Sequence, residues 1–332
     1  MSKKCISSLT LEQLADLMKE LGQPGFRARQ IFHWLHQKLA ADFSAMTDQP
    51  KALLAALAED WYVAAPAIQR RQQAKDGTVK YLLRLFDGNC IEAVVMRYHY
   101  GNTICVSTQV GCRMGCRFCA STIGGLKRNL TPGEIAGQIL AAQRETGQRI
   151  SHVVVMGTGE PFDNYENLAK FLHIIHDPNG LNLSMRNITV STCGLVPMIA
   201  RFAEDFPQVN LAISLHAVSN EMRDEIMPIN KAYPMETLLS ACRDYTQKTA
   251  RRVTFEYTLV KGVNDSAEYA RKLAARLQGM LCHVNLIPLN KVEETGYDTS
   301  ERGAVLRFQQ VLTECGIPAT IRRELGDDID AA

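Results

Sequence analysis

The chain has 332 residues, 46% hydrophobic and 22% charged, an ordinary composition for a globular protein with one large core and a smaller attached unit. Its 37 Lys and Arg stand against 35 Asp and Glu, a formal net charge of +2, so charge neither demands nor excludes a nucleic-acid partner. No apolar run of about 18 residues occurs and no apolar region follows the first lysines, which argues against a membrane span and a secretory signal. Ten cysteines are present, four of them between Cys105 and Cys119, and a reducing cytoplasm would keep these available as thiolates.

The first 60 or so residues carry helical periodicity. Leu11, Leu14, Leu17 and Met18 mark a first helix, with Ser8 or Thr10 as its cap. A turn at Gly22 to Gly25 leads into a second, with Phe26, Ile31, Trp34 and Leu35 on a packed face and Arg27, Arg29 and Lys38 outside. QPKALLAALAEDW reads as a third, and so small a bundle is expected to lean on the rest of the chain. From about residue 66 the period becomes that of strands, KYLLRLFDGNCIEAVVMRYHYGNTICVSTQ, with turns at Asp87-Gly88 and Gly101-Asn102. Beyond Cys119 short apolar strands (SHVVVMG, NITVST, NLAISLH, VTFEYTLV, HVNLIPLN, PATIRR) alternate with helices such as TPGEIAGQILAAQRE, NYENLAKFLHIIH and SAEYARKLAARLQ. This is βα architecture with parallel strands. Period alone does not separate a doubly wound sheet from an incomplete barrel, but Gly159-Glu160, Ser191, His216 and Asn290 fall near strand ends, as in a barrel whose site is built from βα loops.

The segment GCRMGCRFCA spaces Cys112, Cys116 and Cys119 as C-x₃-C-x₂-C. Thiolates are soft ligands suited to iron, and three of them can hold three irons of a [4Fe–4S] cube, leaving the fourth iron for S-adenosylmethionine (SAM). Two other readings stay open on spacing: a structural zinc completed by Cys105, His99 or a distant residue, and unliganded core thiols. Phe118, inside the motif, either shields a cofactor or simply packs.

C-x₃-C-x-F-C after the first strand of a βα domain resembles the radical SAM superfamily. The wider stretch TICVSTQVGCRMGCRFCASTIGGLKRNLTPGEIAGQI resembles the dual-specificity 23S rRNA/tRNA adenine-C2 methyltransferases (the RlmN family), and the likeness continues through VVMGTGEPFDN, ITVST, ISLHA, MPINKAYP, FEYTLVKGVND, HVNLIPLN and IRRELGDDIDAA. It covers the chain from near residue 8 to its end. The resemblance implies an α/β fold, an incomplete (β/α)6-type radical SAM barrel over 104–332, preceded by a small helical, RNA-binding unit over 1–62 and a β-rich extension over 63–103.

It also implies roles. Cys112, Cys116 and Cys119 would bind the [4Fe–4S] cluster. Cys105 would be a catalytic thiol, and Glu92, which on pattern alone reads as a solvated strand residue, would handle a proton. Gly159 and Glu160 in GTGEP, Ser191, the run Ser214, Leu215 and His216, and Asn290 would contact SAM. GTGEP is no P-loop, since no Gly-Lys-Ser/Thr follows, and Pro161 makes it a poor dinucleotide fingerprint. Family members continue past DIDAA with a cysteine that carries the methyl group, so that residue is expected just beyond Ala332. In the implied mechanism one SAM methylates that cysteine and a second is cleaved by the cluster. The radical formed removes hydrogen from the S-methyl group, the carbon radical adds to adenine, and Cys105 releases the product by forming a transient disulfide that a thiol reductant reopens. Cys193 and Cys315 read as packing residues.

The implied partners are 23S rRNA, tRNA and a flavodoxin-like reductant, with a monomer as the working form. Arg70 and Arg71, Lys127 and Arg128, Arg251 and Arg252, and Arg322 and Arg323 are candidate phosphate contacts, each pair equally readable as a solvated face. Three rivals define the tests: a C8 methyltransferase of the same ribosomal adenine, an RNA-binding module with a structural metal, and a fully cysteine-ligated electron carrier.

Overall fold

The computed structural model describes residues 3–289, 296–323 and 325–329. Helices α1 (Leu11–Glu20), α2 (Phe26–His36) and α3 (Lys51–Asp60) form the N-terminal unit. Thr10, not Ser8, caps α1: its hydroxyl accepts the Gln13 N–H at 3.3 Å while the Gln13 side chain accepts the Thr10 N–H at 3.2 Å. The packed face of α2 is Ala28, Ile31, Phe32 and Leu35, whereas Phe26, expected on it, is 55% exposed at the first turn.

One ten-stranded sheet organises the remainder: β1 (Ala67–Gln73), β2 (Val79–Arg84), β3 (Cys90–Tyr98), β4 (Gly101–Cys105), β5 (Ile150–Val155), β6 (Ile188–Thr192), β7 (Asn210–Ser214), β8 (Val253–Leu259), β9 (Cys282–Pro288) and β10 (Ala319–Ile321). Their spatial order is their chain order, antiparallel from β1 to β4 and parallel from β4 onward. Helices α4 (Pro132–Thr146), α5 (Tyr165–His176), α6 (Val196–Asp205), α7 (Asn220–Ile226) with α8 (Met235–Thr249), α9 (Ala267–Leu277) and α10 (Arg302–Glu314) make the crossovers. Six βα units therefore run from β4 to α10, and β1 and β10 are left as free edges, so the barrel is incomplete, as the resemblance implies.

Strand β1 escapes the hydrophobic pattern because AIQRRQQ is polar on both faces; its pairing with β2, including a bulge between Ile68 and Arg70, makes it a strand. The β3–β4 turn lies at His99-Tyr100, with Tyr98 opposite Gly101, two residues before the expected Gly101-Asn102. Along β8 and β9, Val253, Phe255, Tyr257, Val284 and Leu286 enter the main core. Thr258 and Ile287, of opposite parity, line a cavity within the barrel.

The N-terminal bundle does lean on the barrel. Its core includes Ile174 of α5. Two glycines of α4 let the chain come close: a Cβ on Gly133 would stand 2.6 Å from Cys5 Sγ, and one on Gly137 2.9 Å from the Ala64 carbonyl oxygen. Cys193 packs in a small cluster with Cys116, Ala217, Ile226 and Met227, whereas Cys315, expected in the core, is exposed just past α10.

Candidate active site

The site begins where β4 and β5 stop pairing. Beyond its last residue each strand continues as loop, and the two loops are sewn together. The Val106 carbonyl accepts the Gly157 N–H at 3.0 Å, and the Thr158 carbonyl accepts the Thr108 and Gln109 N–H groups at 2.9 and 3.2 Å. Gln109 Oε1 accepts the Glu160 N–H at 2.8 Å while its amide donates to Asn129 and Asp163. Gly159 has φ 108°, and a Cβ there would lie 2.6 Å from that of Gln109. The close approach that fixes glycine in GTGEP is thus made by the protein's own chain.

Glu160 is fully engaged as well. Its two carboxylate oxygens accept the N–H groups of Phe162 at 3.0 Å and Cys193 at 2.8 Å, tying the β5 loop to the β6 loop. Burial pushes its carboxyl up, against the pull of these bonds. The residue is a brace between loops, and any contact with a cofactor amino group is additional to that.

Cys112, Cys116 and Cys119 lie between β4 and α4, in a loop that Gly115 (φ 71°) helps to turn. Cys112 and Cys116 are buried and Cys119 is half-buried. Burial holds the Cys116 thiol up at about 12, and the neighbouring thiols Cys119 and Cys112, then Glu160, push the same way. The Cys112 thiol is raised first by burial, with Glu160 and Cys119 adding to it. Cys112 and Cys116 therefore sit where thiolate charge is disfavoured unless a cation is bound, and a coordinating cation removes thiol protons outright. A structural zinc wants four protein ligands on one ion, whereas the thiolates of a cube bind separate irons. His99, a proposed fourth zinc ligand, sits at the turn before β4, edge-on to Tyr100, at the opposite strand end from Cys105. The donor set fits a cluster.

The strand ends that follow form the next wall. Ser191 is in β6 and Ser214 closes β7. Leu215 is buried, and its N–H bonds the Glu256 carbonyl at 3.1 Å. His216 is buried at φ 55°, its ring edge-on to Phe118 at 4.8 Å. Its Nδ1 accepts the Thr258 N–H at 2.9 Å, which requires a neutral ring with its proton on Nε2; burial, then Arg223, lowers its pKa to about 3. Asn290 lies outside the described residues. Arg223, which no sequence pattern marks, is buried beneath this wall and donates to the carbonyls of Cys193, Ser214 and Leu215. Its surroundings, NEMRDEI, read as a solvated helix, so no periodicity signals its burial.

A cavity of about 390 Å³ brings Glu92, Cys105, Phe118, Cys119, Gly157 and Arg322 to one space. Glu92 is held by Lys80 across the β2–β3 ladder, Nζ to Oε1 2.9 Å, and its carbonyl accepts from Ser107 Oγ at 2.7 Å. Lys80 and Gln109 are positioning residues that sequence reasoning missed. Burial pushes the Cys105 thiol up, and the Arg322 guanidinium opposes the shift. All ten cysteines are free thiols.

Comparison with known proteins agrees with this geometry. A model of the radical SAM superfamily matches residues 106–274, and one of the ribosomal RNA large subunit methyltransferase N-terminal domain matches residues 6–63. The probable dual-specificity RNA methyltransferase RlmN of Clostridium perfringens (strain 13 / Type A) is 52% identical over 99% of this chain and 95% of its own. That of Geobacillus kaustophilus is 52% identical over 98% and 90%. The crystal structure of a radical SAM methyltransferase from Sphaerobacter thermophilus superposes with a TM-score of 0.95 at 48% identity, covering 99% of this chain and 98% of that one. With a cysteine loop, braced strand-end loops and full-length likeness in agreement, the chain belongs to the RlmN family of radical SAM methyltransferases, which use a [4Fe–4S] cluster and SAM.

Proposed function

We propose that this enzyme adds a methyl group to C2 of an adenine in 23S rRNA and in tRNA, with Cys112, Cys116 and Cys119 holding the cluster and Gly159, Glu160, Ser191, Ser214, Leu215, His216 and Asn290 forming the SAM face. The observation that carries the reading is the shared cavity of Glu92, Cys105 and Cys119. When bound, the cluster supplies the electron that opens SAM, and adenine C2, which has no acidic proton, needs such chemistry. Lys80 pairs with the Glu92 carboxylate and Ser107 bonds its backbone carbonyl, which supports Glu92 as the group that takes the C2 proton. Cys105 is a free thiol in the same cavity as Glu92 and Cys119, which supports it as the thiol that takes part in catalysis. Phe118 and neutral His216 shield the space without adding charge.

On the RNA side, Arg71 is tied to Glu145, Arg128 to Asp87 and Glu134, and Arg251 to Asn210. Arg322 and Arg323 line the cavity, and their guanidinium groups have no hydrogen-bond partner among the described residues, which supports them as contacts to the phosphates of the extruded nucleotide. The division at 1–62, 63–103 and 104–332, the helical unit as an RNA-binding accessory, a monomeric state, cytoplasmic location and reduction by a flavodoxin-like protein complete the proposal. The test is anaerobic reconstitution followed by EPR of the reduced protein, with and without SAM, and product analysis of 23S rRNA and tRNA. A [4Fe–4S]⁺ signal changed by SAM and 2-methyladenosine in the product are expected. A signal indifferent to SAM, or methyl at C8, overturns the reading.

A further inference from the structure

Arg223 has the largest of the fully buried side chains, at 0% exposure. Four neutral acceptors take its N–H groups: the Cys193 carbonyl at 2.7 Å, Asn230 Oδ1 at 3.1 Å, the Ser214 carbonyl at 3.2 Å and the Leu215 carbonyl at 3.3 Å. No carboxylate forms a salt bridge with it among the described residues; Asp224 is reached only through the amide of Asn230, at 2.7 Å. A guanidinium out of water without an opposite charge is expensive, and such groups persist where something anionic is close. The nearby ionisable groups are thiols, Cys193, Cys116 and Cys242, before Asp224. Cys116 lies in the proposed cluster loop and packs with Cys193 in the same small cluster.

We propose that Arg223 is a positioning residue that supplies the buried counter-charge of the iron–sulfur cluster and raises its reduction potential, while holding in register the two strand ends that form the SAM face. This rests on the assignment of Cys112, Cys116 and Cys119 as cluster ligands. Three thiolates outweigh a dicationic [4Fe–4S] core, so the site is anionic when oxidised and more so after gaining an electron. A fixed cation nearby favours the reduced state, since net charge and hydrogen bonding around a cluster set its potential. The fork of Arg223 serves a second purpose: one guanidinium bonds the loop after β6 and the end of β7, carbonyls that a point-charge ammonium could not span together.

Two variants separate the charge from the fork. Arg223→Gln keeps amide donors and removes the charge; Arg223→Lys keeps the charge and loses the fork. The reconstituted proteins are titrated with mediators and the [4Fe–4S]⁺ EPR signal is followed, and SAM affinity is measured by calorimetry. We expect Arg223→Gln to have a lower midpoint potential than wild type, Arg223→Lys to stay near the wild-type value, and both to bind SAM several-fold more weakly. Equal potentials in wild type and Arg223→Gln, or the same shift in both variants, overturn the electrostatic role. Should Arg223→Gln take up no cluster, uptake and a near-wild-type potential in Arg223→Lys support it, and failure of both refutes it. Wild-type protein that forms no cluster refutes the ligand assignment itself and this inference with it.

Discussion

Replacing His36 by leucine should remove a pH dependence from the stability of the fold. His36 ends α2 where the bundle meets the main domain. Its ring is fully buried, 4.4 Å from that of Phe32, and a Cβ on Gly180 would meet both side chains at 2.9 and 3.3 Å. Among the described residues neither ring nitrogen has a hydrogen-bond partner. Burial lowers its pKa to about 4, with Asp177 opposing. The folded protein thus keeps the ring neutral down to about pH 4, whereas the unfolded chain takes up a proton near 6.5. Between these values the unfolded state binds more protons, so stability that is complete above pH 6.5 is lost as pH falls. The loss is about 1.4 kcal/mol between pH 7.5 and 5.5, and about 3 kcal/mol by pH 4.

Urea unfolding of wild type and His36→Leu at pH 7.5 and 5.5 reads this directly, because other titrating groups cancel in the difference. Wild type should lose about 1.4 kcal/mol more than the variant over that interval. At pH 7.5 the variant should match or exceed wild type, since leucine has no nitrogen to leave unbonded. Identical pH dependence in the two proteins would refute the argument.

Cys105→Ser should bind cluster and SAM as wild type but lose product formation by roughly a thousandfold or more, shown by unchanged EPR and absent 2-methyladenosine; retained turnover would remove the thiol from the mechanism. Glu160→Gln should cost about 1–3 kcal/mol of stability even without cofactor, because an amide cannot accept from both Phe162 and Cys193, while a residue serving SAM alone would leave cofactor-free unfolding unchanged. Replacing Arg322 and Arg323 by glutamine should lower the slope of log K against log salt for RNA by about 1 to 2, whereas Arg252→Gln, at the opposite strand end from the site, should leave it unchanged.

The βα alternation was legible because the strand candidates beyond Cys119 are apolar runs bounded by polar turns, and six of them became strands within a few residues of expectation. The cysteine loop was legible because spacing is a covalent property. What stayed hidden depends on tertiary partners. The edge strand β1 has no buried face to print a period. Arg223 looks solvated in NEMRDEI and is buried only because two strand ends converge above it. Phe26 has an apolar side chain at a helix start, but the adjoining face of α2 is one residue pair farther on. The bracing role of Gly159 and Glu160 stays hidden, because a sequence does not show that Gln109, about 50 positions earlier, lies against them.

Buried polar side chains collect at this end of the barrel for a reason that joins stability to function. Parallel strands end without hairpins, so beyond the last ladder bond their N–H and C=O groups need new partners. Side chains take the place of the ladder here. Gln138 clamps Ser107 by both its N–H and its carbonyl, Asn164 bonds the carbonyls of Thr108 and Leu130, and Asn264 bonds those of His216 and Thr258. Such bonds are costly to break inside a protein, which leaves the loops little slack. Loops without slack hold open the space in which Cys105 and Glu92 meet. A polar residue in this layer therefore acts on catalysis through geometry even where it touches no substrate, and its loss should appear both as lower stability and as weaker cofactor binding.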